Sequence, residues 1–218
     1  MDLSLIAVAV AAALILTGVL LPRYRLSRLA QFRFPDHIGA RVRSAYPDLS
    51  DDECEAVLEG LRQFFAISIL AQGRRVAMPS RAVDTAWHEF ILSTRAYQDF
   101  CFQVMGRFLH HTPAEAMRSP IDAQAGIRRS WRLACKDEGL DPKAPGRLPL
   151  LFAIDAQLAI PGGFTYALDC RQAGARGDAA ADGSVYCASH IGSCGSGGDG
   201  DGCSGDSGGD GGGGCGGD

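Results

Sequence analysis

Hydrophobic and polar positions divide the chain into three unlike stretches. From Leu3 to Leu21 every residue is apolar or small and uncharged, the length a helix needs to cross about 30 Å of hydrocarbon at about 1.5 Å per residue. Beyond Pro22-Arg23-Tyr24-Arg25 the pattern becomes periodic. Pro35 and Asp36 start a short helix that reaches about Ala45, where Tyr46-Pro47 stops it. Ser50-Asp51-Asp52-Glu53 is a capping box, and Cys54, Val57, Leu58, Leu61 and Phe65 follow at helical spacing until Gly73. Ser80 suits the N-cap of a further helix that continues without proline through Gly106.

Thr112-Pro113-Ala114-Glu115 offers a second capping box, and Ser119-Pro120 opens a helix to Gly139 with Ile121, Ala125, Trp131 and Cys135 on one side. "LPLLFAIDAQLAIPGG" reads as a last, almost wholly apolar helix, buried in the bundle and stopped by Pro161-Gly162-Gly163. "FTYALDC" is expected to be irregular, because a lone strand has nothing to pair with. From Gly174 the composition shifts, and from Gly192 to Asp218 it is nearly all Gly, Ser, Asp and Cys. Such a stretch cannot bury enough apolar area to offset ordering entropy, so a disordered tail is expected. The fold class is therefore all-α: a transmembrane anchor over 1–22, a basic flank over 23–34, a bundle of about five helices over 35–173 and a tail over 174–218.

Charge adds an orientation. Arg23, Arg25, Arg28 and Arg33 crowd the C-terminal flank of the apolar run, and no Lys or Arg precedes it. The positive-inside bias then places the domain and tail in the cytoplasm, anchored by a single pass in the cytoplasmic membrane. Asp2 before the run and the missing small-x-small site argue against a cleaved signal peptide. A reducing compartment disfavours a disulfide framework among the eight cysteines. The net charge of −4 gives no basic footprint for nucleic acid. The small residues from Ala7 to Ala13 leave self-association within the bilayer open, and the sequence fixes no oligomeric state.

Candidate chemistry lies in "VDTAWHEFILSTRAYQDFCFQVMGRFLHHTP". On one continuous helix Asp84, His88, Arg95 and Asp99 share a face. This stripe has two readings. It is a salt-bridged helix face, the reading that the missing further ligands favour, or a metal site in which His88 with His110 or His111 and Asp84 binds an ion such as zinc. His88-Glu89 suggests a zincin helix, but position 92 is Leu, so His-Glu-x-x-His is not formed. Cys54, Cys101 and Cys135 read as small core residues. Cys187, Cys194, Cys203 and Cys215, with Cys170 and His190 nearby, have no Cys-x-x-Cys spacing, which leaves free thiols, a soft-metal site or modification as uses of the tail.

The same stretch, with the apolar anchor and Gly-Cys tail, resembles the bacterial glycine-rich domain-containing proteins, distantly similar to the plant glycine-rich domain proteins. The shared pattern is Val83, Asp84, Trp87, His88, Tyr97, Cys101, Gly106 and His111. The plant pattern often has a second histidine two positions after the first, where this chain has Phe90. The resemblance implies a compact helical domain and supplies no reaction. No catalytic residue is assigned, and the leading expectation is an interaction or scaffold module rather than an enzyme.

Overall fold

The computed structural model describes residues 16–111 and 120–168 without a break, together with residues 4, 6–8, 10, 185–187 and 191. A π-helical segment at Leu16–Leu20 leads into α1 (Leu21–Gln31), followed by α2 (Asp36–Ala45), α3 (Asp51–Leu70), α4 (Arg81–Leu92) and α5 (Thr94–Phe100). A second π-helical turn (Cys101–Met105) extends α5, and α6 (Pro120–Asp137) and α7 (Leu150–Gln157) complete the helices. The all-α class holds for this body.

Helix α3 is the central post, in contact with α1, α2, α4, α6 and α7. Its second half, "LRQFFAISIL", is apolar almost all round, and Phe64 to Ile69 are all buried, the pattern a helix shows when neighbours enclose it. Ser50 starts it as expected, its hydroxyl taking the Glu53 N–H while the Glu53 carboxylate accepts from the Ser50 N–H. Two faces of α3 serve different neighbours. Gly60 leaves room for Val83 of α4, since a Cβ there would lie 2.8 Å from Val83 Cγ2. On another side Phe65 meets Phe100 at 4.7 Å and Trp87 at 6.2 Å between ring centroids, and Phe32, Phe34, Phe90 and Tyr97 extend this aromatic core.

Helix ends are tied by side chains from elsewhere in the chain. Glu138 accepts from the Leu150 N–H at 2.6 Å, and Gln63 Oε1 from the Leu151 N–H at 3.0 Å, at the start of α7. Asp155, near the other end of α7, is 3 % exposed. Its oxygens accept from the Ser80 hydroxyl at 2.6 Å and from the Arg81, Ala82 and Phe164 N–H groups at 2.7, 3.2 and 2.9 Å. A buried carboxylate at the N-terminus of α4 is favoured by the orphan donors and by the helix dipole.

Several sequence expectations need correction. The helix from Ser80 is not continuous to Gly106. It breaks at Ser93 (φ −79°, ψ 56°), so the single stripe of Asp84, His88, Arg95 and Asp99 is not maintained. Within the stretch 23–34, expected as a basic flank, Leu29 of α1 and Phe34 of the following loop are buried. Strand β1 (Thr165–Ala167) lies in the segment expected to be irregular and pairs in parallel with β2 (Val185–Cys187), Tyr166 opposite Tyr186. Its partner comes from the stretch assigned to the tail, which is why local composition hid it. Cys187 is disulfide-bonded, whereas Cys54, Cys101 and Cys135 are free and buried. The proposed capping box at Thr112–Glu115, most of the tail and most of the apolar run before Leu16 lie outside the described residues. Among the described residues, no helix is long and apolar enough to cross a membrane.

Replacing Asp155 by Ala leaves one hydroxyl and three N–H groups without their shared acceptor, and is expected to cost about 3 kcal/mol. Chemical denaturation of the variant checks this. A change under about 0.5 kcal/mol, the range of an ordinary surface substitution, would show that Asp155 does not hold α4 to α7.

Candidate metal centre

The break at Ser93 turns the chain back toward α4. After α5 and the π-helical turn, Gly106 takes a left-handed conformation (φ +70°) that a Cβ would disfavour. The Gly106 and Arg107 N–H groups both donate to the Cys101 carbonyl. Residues 107–111 then run alongside α4. One hydroxyl fixes this return: the Trp87 indole N–H donates to Tyr97 Oη at 3.2 Å, and Tyr97 Oη donates to the Leu109 carbonyl at 2.5 Å. Trp87 and Tyr97 are nearly fully buried, so both bonds are shielded from water.

Two residues past Leu109, His111 sits edge-on to Trp87, with 4.6 Å between ring centroids. Its Nε2 is 3.0 Å from Asp84 Oδ1, while His88 Nδ1 is 3.5 Å from Asp84 Oδ2. The two imidazole centroids are 4.2 Å apart. One ligand atom from each of Asp84, His88 and His111 lies within 4.8 Å of the others, and this is the one such grouping that could hold a metal among the described residues.

Asp84 and His88 are one helical turn apart on α4, which makes them neighbours on its surface. His111 comes from 27 residues beyond Asp84 and is placed by the Tyr97 anchor. Two ligands about 2.1 Å from an ion at the tetrahedral angle are about 3.4 Å apart; each imidazole stands near that distance from a different Asp84 oxygen, and one ligand atom from each of the three residues lies within 4.8 Å of the others. The donor set suits a borderline cation, with two imidazoles and one carboxylate. His111 is 15 % exposed at its side chain and Asp84 32 %, whereas His88 is 51 % exposed. Solvent thus reaches one side of the group.

Of the predicted ligands, the structure brings together Asp84, His88 and His111 and leaves out His110. The His110 ring turns to Phe108, 4.8 Å away between centroids, and is exposed. Cys101 is fully buried beneath the loop and takes no part in the cluster. Burial pushes its thiol above the ordinary range and raises that of Cys135 to about 11, so both remain protonated at neutral pH and neither is a thiolate ligand. The eight motif residues have distinct places: Val83 fills the Gly60 notch, Trp87 and Tyr97 form the anchor, Cys101 and Gly106 make the turn, and Asp84, His88 and His111 converge. Sequence reasoning missed Asp155, although one carboxylate inside "LLFAIDAQLAI" was a readable signal. It had no means of finding the Tyr97–Leu109 bond, which joins a side chain to a loop carbonyl.

The fold and cluster define a small helical domain with a His/Asp constellation between one helix and a returning loop. The chain belongs to the UCP032817-like family, whose model matches residues 24–191. The match begins within α1, at residue 24, and extends past β2 to Ile191, which packs against the core. No curated protein and no solved structure matches it.

Tyr97→Phe leaves the Trp87 indole N–H and the Leu109 carbonyl without their common partner. The variant is expected to lose about 1–3 kcal/mol of stability and, with it, protection from hydrogen exchange at residues 107–111. Hydrogen-exchange mass spectrometry reads the second effect. Unchanged exchange in that loop would remove Tyr97 as its anchor.

Proposed function

We propose that this protein is a membrane-tethered helical domain that binds a divalent transition-metal ion, such as zinc, through Asp84, His88 and His111. The observation carrying this reading is the convergence of three ligand atoms within 4.8 Å, two of them fixed on one helix and the third returned by a buried anchor. A salt-bridged surface requires only the Asp84–His88 pair and gives no reason for His111 to be delivered to the same carboxylate. Three protein ligands with a solvent-facing side leave coordination positions for water or a partner's side chain. The domain therefore serves as an interaction module whose docking surface is completed by the ion. Open positions also permit hydrolytic chemistry, but no side chain is assigned a catalytic role.

Protons compete with the ion for imidazole and carboxylate ligands, so affinity falls as pH is lowered. Isothermal titration of the full chain in neutral detergent with zinc is expected to give one equivalent bound. His88→Ala and His111→Ala should each weaken binding about ten-fold or more, while His110→Ala should leave it within about two-fold. Equal losses in all three variants, or no binding by the native chain, would contradict the site.

The anchoring part of the proposal rests on the apolar run and on the helix that continues from Leu16–Leu20 into α1. The arginines after it favour a cytoplasmic domain. A second reading, an exported domain with its tail thiols bridged, is favoured by the disulfide at Cys187, because such bonds persist in oxidising compartments. C-terminal fusions separate the two readings. Fluorescence from a green fluorescent protein fusion with an inactive alkaline phosphatase fusion is the expected outcome, and the reverse pattern would place the domain outside.

A further inference from the structure

A second polar site lies at the start of α1. Here Gly18, Pro22 and Arg25 face Ser68, Met105 and Arg107 across a cavity of about 390 Å³, a size that accommodates a small ligand or headgroup. The guanidinium of Arg25 rests directly over Gly106, where any Cβ would collide with it. The glycine that reverses the chain for His111 therefore also gives Arg25 its place, next to Arg107.

Neither arginine is paired with a carboxylate among the described residues, whereas Arg41, Arg43, Arg62 and Arg147 each have one. The ionisable groups that feel Arg107, Tyr97 and Cys101, are both pushed up by burial and remain neutral. The other polar side chains of the cavity have already used a donor: the Ser68 hydroxyl donates to the Phe64 carbonyl, and the Gln72 amide to the Gly18 carbonyl. The charged donors of the cavity are thus two guanidinium forks, beside an apolar wall that includes Ile69 and Met105. A guanidinium fork is the side-chain group best suited to a phosphate oxyanion.

We infer that Arg25 and Arg107 form a binding site for a phosphate-bearing anion, in the cavity between the start of α1, the end of α3 and the Cys101–Met105 turn. Two sources share that chemistry: free phosphate, and the phosphodiester headgroup of an anionic lipid reached from the apolar run that ends at the cavity. The site stands independently of the metal centre.

The test titrates the full chain, in neutral detergent at about 0.15 M salt, where diffuse charge is largely screened. The probes are inorganic phosphate and, separately, dihexanoyl-phosphatidylglycerol below its micellar concentration. Saturable binding of either supports the site. Binding of the lipid without inorganic phosphate identifies the headgroup as source, and binding of both at similar affinity identifies free phosphate. Arg25→Gln/Arg107→Gln is expected to weaken binding about ten-fold or more, while Arg23→Gln/Arg28→Gln, which removes the same charge, leaves it within about three-fold. Arg25→Lys/Arg107→Lys keeps the charge but loses the fork, and should weaken binding a few-fold if the glutamine variant does not fold. No saturable binding of either probe, equal losses in the two glutamine variants, or full affinity in the lysine variant would overturn the proposal.

Discussion

The Tyr97 hydroxyl is the contact on which the candidate site depends. It accepts from the Trp87 indole and donates to the Leu109 carbonyl, so it couples the core of the domain to the loop that carries His111. Hydrogen bonds of this kind are modest in net energy but costly to leave half-made inside a protein. The bond to Leu109 lies two residues before His111, whose ring reaches Asp84. The rest of the motif supports the same geometry. Gly106 makes the reversal, and Cys101 is a small buried residue beneath it.

The body that holds this contact is organised around α3. Its buried second half forces neighbours onto every side, and those neighbours meet it through a glycine notch on one side and stacked aromatics on another. The buried Asp155 and the partly buried Glu138 accept from the first N–H groups of α4 and α7. Asp84 and His88 consequently sit on a rigid helix, while the third ligand sits on a loop whose position is fixed from the core. Two members of the candidate set are thus carried by one helix and the third by a loop tied to the core.

Local features of the fold were legible in the sequence, and long-range ones were not. The Ser50 capping box, the Ser80 N-cap and the helix over Asp36–Ala45 stand where residue chemistry placed them, because each depends on atoms a few positions apart. The break at Ser93 escaped notice: no proline or glycine marks it, and the turn is imposed by the packing of Tyr97 and Phe100 into the aromatic core. The β1–β2 pairing was hidden for a similar reason, since Val185–Cys187 is embedded in glycine-rich sequence and its partner is 20 positions away (Thr165 to Val185). Asp84, His88 and His111 were nameable as candidates, but their convergence required the loop path that only tertiary structure supplies. The helical wheel that joined Asp84 to Arg95 and Asp99 assumed a straight helix, and it failed where the helix ended.

Zinc-edge X-ray absorption on the loaded full chain addresses the metal centre most directly, because nitrogen and oxygen ligands at about 2.0–2.1 Å are readily told from sulfur at about 2.3 Å. The expected spectrum has only nitrogen and oxygen neighbours, with multiple scattering from two imidazoles that falls to one in His88→Ala. Sulfur in the first coordination shell would contradict the assignment and give the ion to the cysteines of the tail.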